Sequence, residues 1–138
     1  MLPEAPEAPG RHASRLALAT LLVGLGALHF VITPSYERIV PRALGSGNAR
    51  TLVLVSGAAE IAAGALLTLP RTRRLGAGLA AALLVVVFPA NVQMALDSGI
   101  EGAGFPLGSP VVAWLRLPLQ VPLVWWALTL ARPERSSR

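Results

Sequence analysis

The chain has no cysteine, no lysine and only two histidines among its 138 residues. Without cysteine there is no disulfide, no thiolate metal site, no iron–sulfur ligation and no thiol redox catalysis within the chain. A bis-histidine haem needs two ligands on facing helices; one of the two histidines, His12, lies close to the N-terminus, so a monomer cannot build that site. A zinc site on His29 and Glu60 lacks a third ligand, and no metal site is expected. No glycine-rich phosphate loop and no Gly-x-Ser-x-Gly elbow occurs. Charge is scarce as well. Only 14% of residues are charged, against about 25% in soluble domains, too few to cover a water-facing surface. The basic residues are all arginine, 12 of them. That bias, with heavy use of Ala, Gly, Leu and Val, points to a GC-rich bacterial genome.

What the chain has instead is apolar length. It is 54% hydrophobic, with a mean hydropathy of +0.60. A helix crosses a bilayer with about 20 apolar residues, and four runs qualify: about 14–33, 50–69, 75–96 and 110–131. Nothing alternates with period two over these lengths, so strands are excluded. The expected fold is all-α: an integral membrane four-helix transmembrane bundle over 14–131. It is flanked by a disordered cytoplasmic tail at 1–13 and a basic cytoplasmic tail at 132–138. The leader carries glutamates before its arginines, and no small-x-small cleavage site follows the first run, which is therefore read as a retained span. Between the first two spans, Tyr36, Ile39 and Val40 stand among charges and predict a short interfacial segment.

The net charge is +5 and the isoelectric point about 11.5. The arginines cluster at the ends of apolar runs and form no stripe, so nucleic acid is not the partner; the lipid bilayer is. Arg11, Arg15, Arg71, Arg73, Arg74, Arg132, Arg135 and Arg138 fall on one side of a four-span chain, and Arg38, Arg42 and Arg50 on the other. The more basic side is cytoplasmic. This gives a multi-pass protein of the bacterial inner membrane with both termini in the cytoplasm. The tryptophans at 125 and 126 read as interfacial anchors at the inner end, and Trp114 at the outer end.

Each span carries polar residues that are costly in lipid: His29 in the first, Ser56 and Glu60 in the second, Asn91 and Gln93 in the third, Arg116 and Gln120 in the fourth. His29, Ser56, Glu60, Asn91, Arg116 and Gln120 fall at the midplane or in the outer half, which predicts one polar cluster open to the outer side. Ser56, Glu60 and Gly64 follow at i, i+4, i+8, so Glu60 shares a face with small residues that allow close helix approach. Glu60 is expected to pair with Arg116 or bond to His29; a neutral Glu60 bonded to Ser56 or Asn91 is the other packing solution, and a working pocket for a small molecule or proton is the functional one. Breaking a buried pair would cost roughly 3–5 kcal/mol. Pro89, Pro118 and Pro122 lie within spans, where each frees a carbonyl and bends its helix.

An ordered set of short motifs now stands out. His29-Phe30, Pro34, Ile39-Val40-Pro41, the Ser-Gly-x-x-Glu of 56–60, the Pro-Arg-x-Arg-Arg turn of 70–74, Phe-Pro-Ala-Asn at 88–91, and Leu-Arg-Leu-Pro-Leu-Gln at 115–120 followed by Trp-Trp-Ala resemble the DoxX-like membrane proteins over about residues 16–131. The resemblance implies a four-helix transmembrane bundle and an association with membrane redox complexes. It suggests an accessory subunit that contacts membrane or peripheral oxidoreductase subunits, with a quinone-sized pocket at the polar cluster; the chain itself supplies no cofactor. Related four-helix quinone enzymes of disulfide formation use cysteines, so their chemistry does not carry over. The competing readings are a structural or assembly protein without its own ligand, and a small proton-coupled transporter that titrates Glu60 and works as a homo-oligomer.

Overall fold

In the computed structural model, which describes residues 7–133, the chain is all-helical, with no strand among the described residues. The helices are α1 (Pro9–Val31), α2 (Thr33–Glu37), α3 (Ala49–Thr68), α4 (Arg73–Val86), α5 (Phe88–Leu96) and α6 (Pro110–Ala131). Four of the helical stretches are long and apolar enough to cross a membrane: α1, α3, α4 with α5, and α6. The chain is thus a four-span transmembrane bundle. Its large apolar side chains face outward, among them Val31, Leu75, Val86, Val121 and Trp125, each more than half exposed. Lipid, which offers backbone groups no hydrogen bond, accepts such a surface on a helix whose own backbone is satisfied.

Proline and small polar residues punctuate the chain. Pro9, Pro34, Pro89 and Pro110 each lie in a first helical turn, where a missing N–H costs nothing. Ser109 caps α6 by accepting from the Val112 amide at 3.4 Å. The third span is not one helix. It breaks at Val87, because Pro89 cannot donate back into the preceding turn. Pro118 and Pro122, by contrast, lie inside an α6 that stays continuous for 22 residues.

The two ends of the bundle differ. At the terminal end, α1, the α3–α4 turn and the end of α6 converge on a solid core of Leu18, Leu22, Ala63, Leu67, Ala80 and Ala127. Arg15 is only 2% exposed there. It donates to the Leu67 carbonyl, at the C-terminal end of α3 where a cation is favoured, and holds the Glu7 carboxylate at 2.9 Å. Arg73 and His12 each reach the same carboxylate at 3.3 Å. Burial pushes the Glu7 carboxyl up, but the hydrogen bonds and charge of Arg15, with His12 and Arg73, outweigh it and hold Glu7 below its ordinary value. This contact corrects the expected tail: residues 9–13 are helical, residues 1–6 of it lie outside the described residues, and so does most of the 132–138 tail. Trp126 is a correction too, since its indole donates to Ser14 on α1 at 2.7 Å; Trp125 and Trp114 face outward.

At the opposite, loop end, the segment after α1 folds over the bundle as expected of an interfacial piece. It comprises α2 and single 3-10 turns at Arg42–Leu44 and Ser46–Asn48. Ile39 is buried against Met94, Ala95, Ile100 and Ala113, so this lid is held on α5 and α6 by apolar packing. Arg42 bonds Asp97 at 2.8 Å and Arg38 donates to the Glu101 carbonyl; these contacts are exposed and contribute little.

The α1–α3 pair sets the geometry of everything above it. A Cβ built on Gly57 would lie 2.6 Å from His29 Cβ and 2.9 Å from the Gly26 carbonyl, and one on Gly26 would lie 2.7 Å from the Gly57 carbonyl. The backbones touch because neither residue has a side chain. Gly57→Ala is therefore expected to lower stability by roughly 1–3 kcal/mol, the usual cost of overpacking. Gly24→Ala, with nothing within 4 Å of the new methyl, should be neutral or slightly stabilising. Thermal unfolding in detergent checks this, and equal effects of the two substitutions would contradict the close approach.

Candidate functional site

The glycine contact brings His29 of α1 against Glu60 of α3: a Cβ on Gly26 would lie 3.0 Å from Glu60 Cβ. Above this point the spans part. α4 packs against both α3 and α6, whereas α5, beyond the Val87 break, packs along α6 and leaves α3. The space that opens is a cavity of about 450 Å³ under the lid, within the usual range for small-molecule sites. All six residues expected of the polar cluster, His29, Ser56, Glu60, Asn91, Arg116 and Gln120, line it. Its floor is Leu22 and Leu84, which belong to or pack on the terminal core.

The polar residues divide into those that are satisfied and those that are not. Asn91 donates to Gln120 Oε1 at 3.0 Å, and Gln120 donates from its amide nitrogen to the Leu84 carbonyl. That carbonyl lies in the turn that Pro89 interrupts. One buried glutamine thus rejoins the two halves of the broken third span. His29 donates from Nδ1 to the Leu25 carbonyl at 2.9 Å; a carbonyl only accepts, so Nδ1 carries the proton. Its ring stacks on Tyr36 with centroids 4.0 Å apart and planes at 22°. Gln93, in contrast, leaves the cluster and donates to Asp97 at 2.9 Å.

Glu60 is 8% exposed, and its Oε2 has no hydrogen-bond partner; the same is true of Ser56 Oγ. The expected Glu60–Arg116 ion pair is not formed. Glu60 lies within ion-pair reach of His29 Nδ1, at 3.7 Å, but that nitrogen is already committed to Leu25. The physical reason is that Arg116 faces α5: its Nη1 contacts the Met94 sulfur at 3.4 Å, a weak acceptor. Tyr36 lines the same cavity and lies within electrostatic reach of both groups. Burial pushes its hydroxyl up; the Arg116 charge opposes this and the Glu60 charge adds to it. Tyr36 as a cavity wall was not among the expected site residues. It is the chain's single tyrosine, and the break at Ile32 separates its helical phase from that of His29. Met94 and Arg15 carried no distinguishing signal.

The architecture is that of a transmembrane bundle solid at one end and hollow at the other, with a bare carboxyl in the hollow. The chain belongs to the family described as Domain of unknown function (DUF8561), which matches residues 18–131. Every cavity-lining residue falls within that match. No curated protein and no solved structure matches the chain.

Removing a satisfied group and removing a bare one should differ in sign or size. Gln120→Leu strands both the Leu84 carbonyl and the Asn91 amide and is expected to cost about 1–3 kcal/mol. Combined with Asn91→Leu, it should lose clearly less than the sum of the two. Glu60→Gln breaks no bond at Oε2 and is expected to change stability by less than about 0.5 kcal/mol, or to raise it. Thermal unfolding of protein freed of native lipid checks both. A loss of several kcal/mol on Glu60→Gln would restore the buried ion pair.

Proposed function

We propose that this protein is a membrane-embedded binding protein for a small amphiphile taken from the bilayer. The observation that carries the reading is Glu60 Oε2, buried and without a partner on the wall of a cavity of about 450 Å³. A buried carboxyl is expensive unless something satisfies it, and a protein that only needed packing would have placed Arg116 against it. The arginine distribution supports termini in the cytoplasm of a bacterial inner membrane, with the cavity in the outer half of the bilayer. The solid terminal core supports a one-ended site over a path across the membrane.

Within a membrane redox complex, the role that the DoxX-like resemblance implies, such a protein would present its amphiphile to a partner that carries the electrons. A quinone ring suits the cavity's volume better than its polarity. Its carbonyls only accept, so they suit Arg116 and the Tyr36 hydroxyl and offer nothing to an ionised Glu60.

Purification in native lipid followed by mass spectrometry tests the reading. The wild-type chain is expected to retain a small non-bilayer molecule. Ala90→Phe, which fills the cavity from the α5 side, is expected to lose it while keeping its fold. Identical bound-molecule profiles for the two proteins would overturn the proposal.

A further inference from the structure

The cavity holds a carboxyl and a guanidinium and does not pair them. Glu60 sits on the α1–α3 wall beside Ser56 and His29; Arg116 sits on the α5–α6 wall against Met94. The Tyr36 ring, stacked on His29, belongs to the lid and lines the same cavity. Oε2 of Glu60 and Oγ of Ser56 have no hydrogen-bond partner, and Arg116 contacts a thioether, which accepts only weakly. Each charge is therefore left for something else to satisfy.

Four kinds of head group can be compared against these walls. A simple cation satisfies Glu60 but sets a second positive charge in a small low-dielectric space with Arg116. A simple anion does the reverse. An uncharged apolar molecule leaves both groups bare, and an unsatisfied buried polar group is costly. Only a head with both characters meets both walls and adds no net charge. We infer that the ligand is amphoteric, presenting a cationic hydrogen-bond donor to Glu60 and an anionic acceptor to Arg116, with a short apolar tail along the leucine-lined part of the cavity. This inference rests on the reading of the cavity as a ligand site and names the class of ligand it takes. The satisfied Asn91–Gln120 pair is left out of recognition; it shapes the wall by holding the Val87 break.

The experiment is a competition read by native mass spectrometry on the full chain released from detergent. Three ten-carbon probes are offered together: α-aminodecanoate, decylamine and decanoate, with decanol as an uncharged reference. The wild type is expected to retain α-aminodecanoate over each singly charged probe by about tenfold, the factor that about 1.4 kcal/mol produces. Glu60→Gln should shift retention toward decanoate and Arg116→Gln toward decylamine, while Arg116→Lys, which keeps the charge, should preserve the wild-type order. Micellar partition of the probes is common to all four proteins, so the shift between variants is the readout. If the wild type favours decylamine, decanoate or decanol, or if the order does not move in the variants, the amphoteric ligand is overturned while the cavity remains a binding site. If none of the four probes is retained, both readings fall.

Discussion

Two glycines in contact determine what the rest of this protein can do. Gly26 and Gly57 let the backbones of α1 and α3 meet, with hypothetical Cβ atoms falling within 3 Å of the opposite chain. Small residues at such crossings replace the hydrophobic drive that lipid removes, because van der Waals packing is what holds helices together in a bilayer. The consequence is local and chemical. Each glycine faces the other helix's polar residue, Gly57 against His29 and Gly26 against Glu60, and this brings the two side chains within 3.7 Å of each other. A carboxyl so fixed cannot swing toward Arg116 across the bundle, and Arg116 turns instead to the Met94 sulfur. The unpartnered carboxyl follows from the helix crossing.

The bundle packs alanine into the core of one end and lines a cavity with polar side chains at the other. Alanines at 63, 77, 80, 81 and 127 close the terminal half with no polar atom among them. In the loop half, the Pro89 break sends α5 toward α6 and away from α3, and the volume that would have been core becomes cavity. Gln120 limits the damage by taking up the carbonyl that the break exposes. The lid then covers the space with Tyr36 and Ile39, so that a chain with few large core residues encloses a sizeable pocket.

The fold was legible because a membrane imposes coarse rules. Four apolar runs of spanning length, bounded by proline and arginine, are enough to give four spans whose ends fall within a few residues of those observed; α6 coincides with the expected 110–131. The candidate cluster was legible for a related reason: polar residues are rare in spans, and their shared depth points to one place. What depth and helical phase do not specify is partner choice. His29, Arg116 and Asn91 were all plausible partners for Glu60, and the decision came from the rotation of α6 toward α5, which no single-helix pattern encodes. Helix entry at Pro9 was missed because its cause is tertiary: Glu7 is tied to Arg15 and Arg73, the latter 66 positions away along the chain. Tyr36 was placed in an interfacial loop and not in a site, because the break at Ile32 hides its phase relation to His29.

The account stands on a bundle that is hollow at the loop end and solid at the terminal end. The absence of cysteine makes that directly measurable, since any introduced thiol is the only one. Ala90→Cys places a thiol on the cavity wall, and Ala63→Cys places one in the terminal core, where the native side chain is 0% exposed. With a membrane-permeant thiol reagent on protein in lipid bilayers, Ala90→Cys is predicted to react readily, and to be protected when an amphiphile occupies the cavity, while Ala63→Cys stays unmodified. Equal labelling of the two positions, or labelling at Ala90→Cys that no bound amphiphile slows, would contradict it.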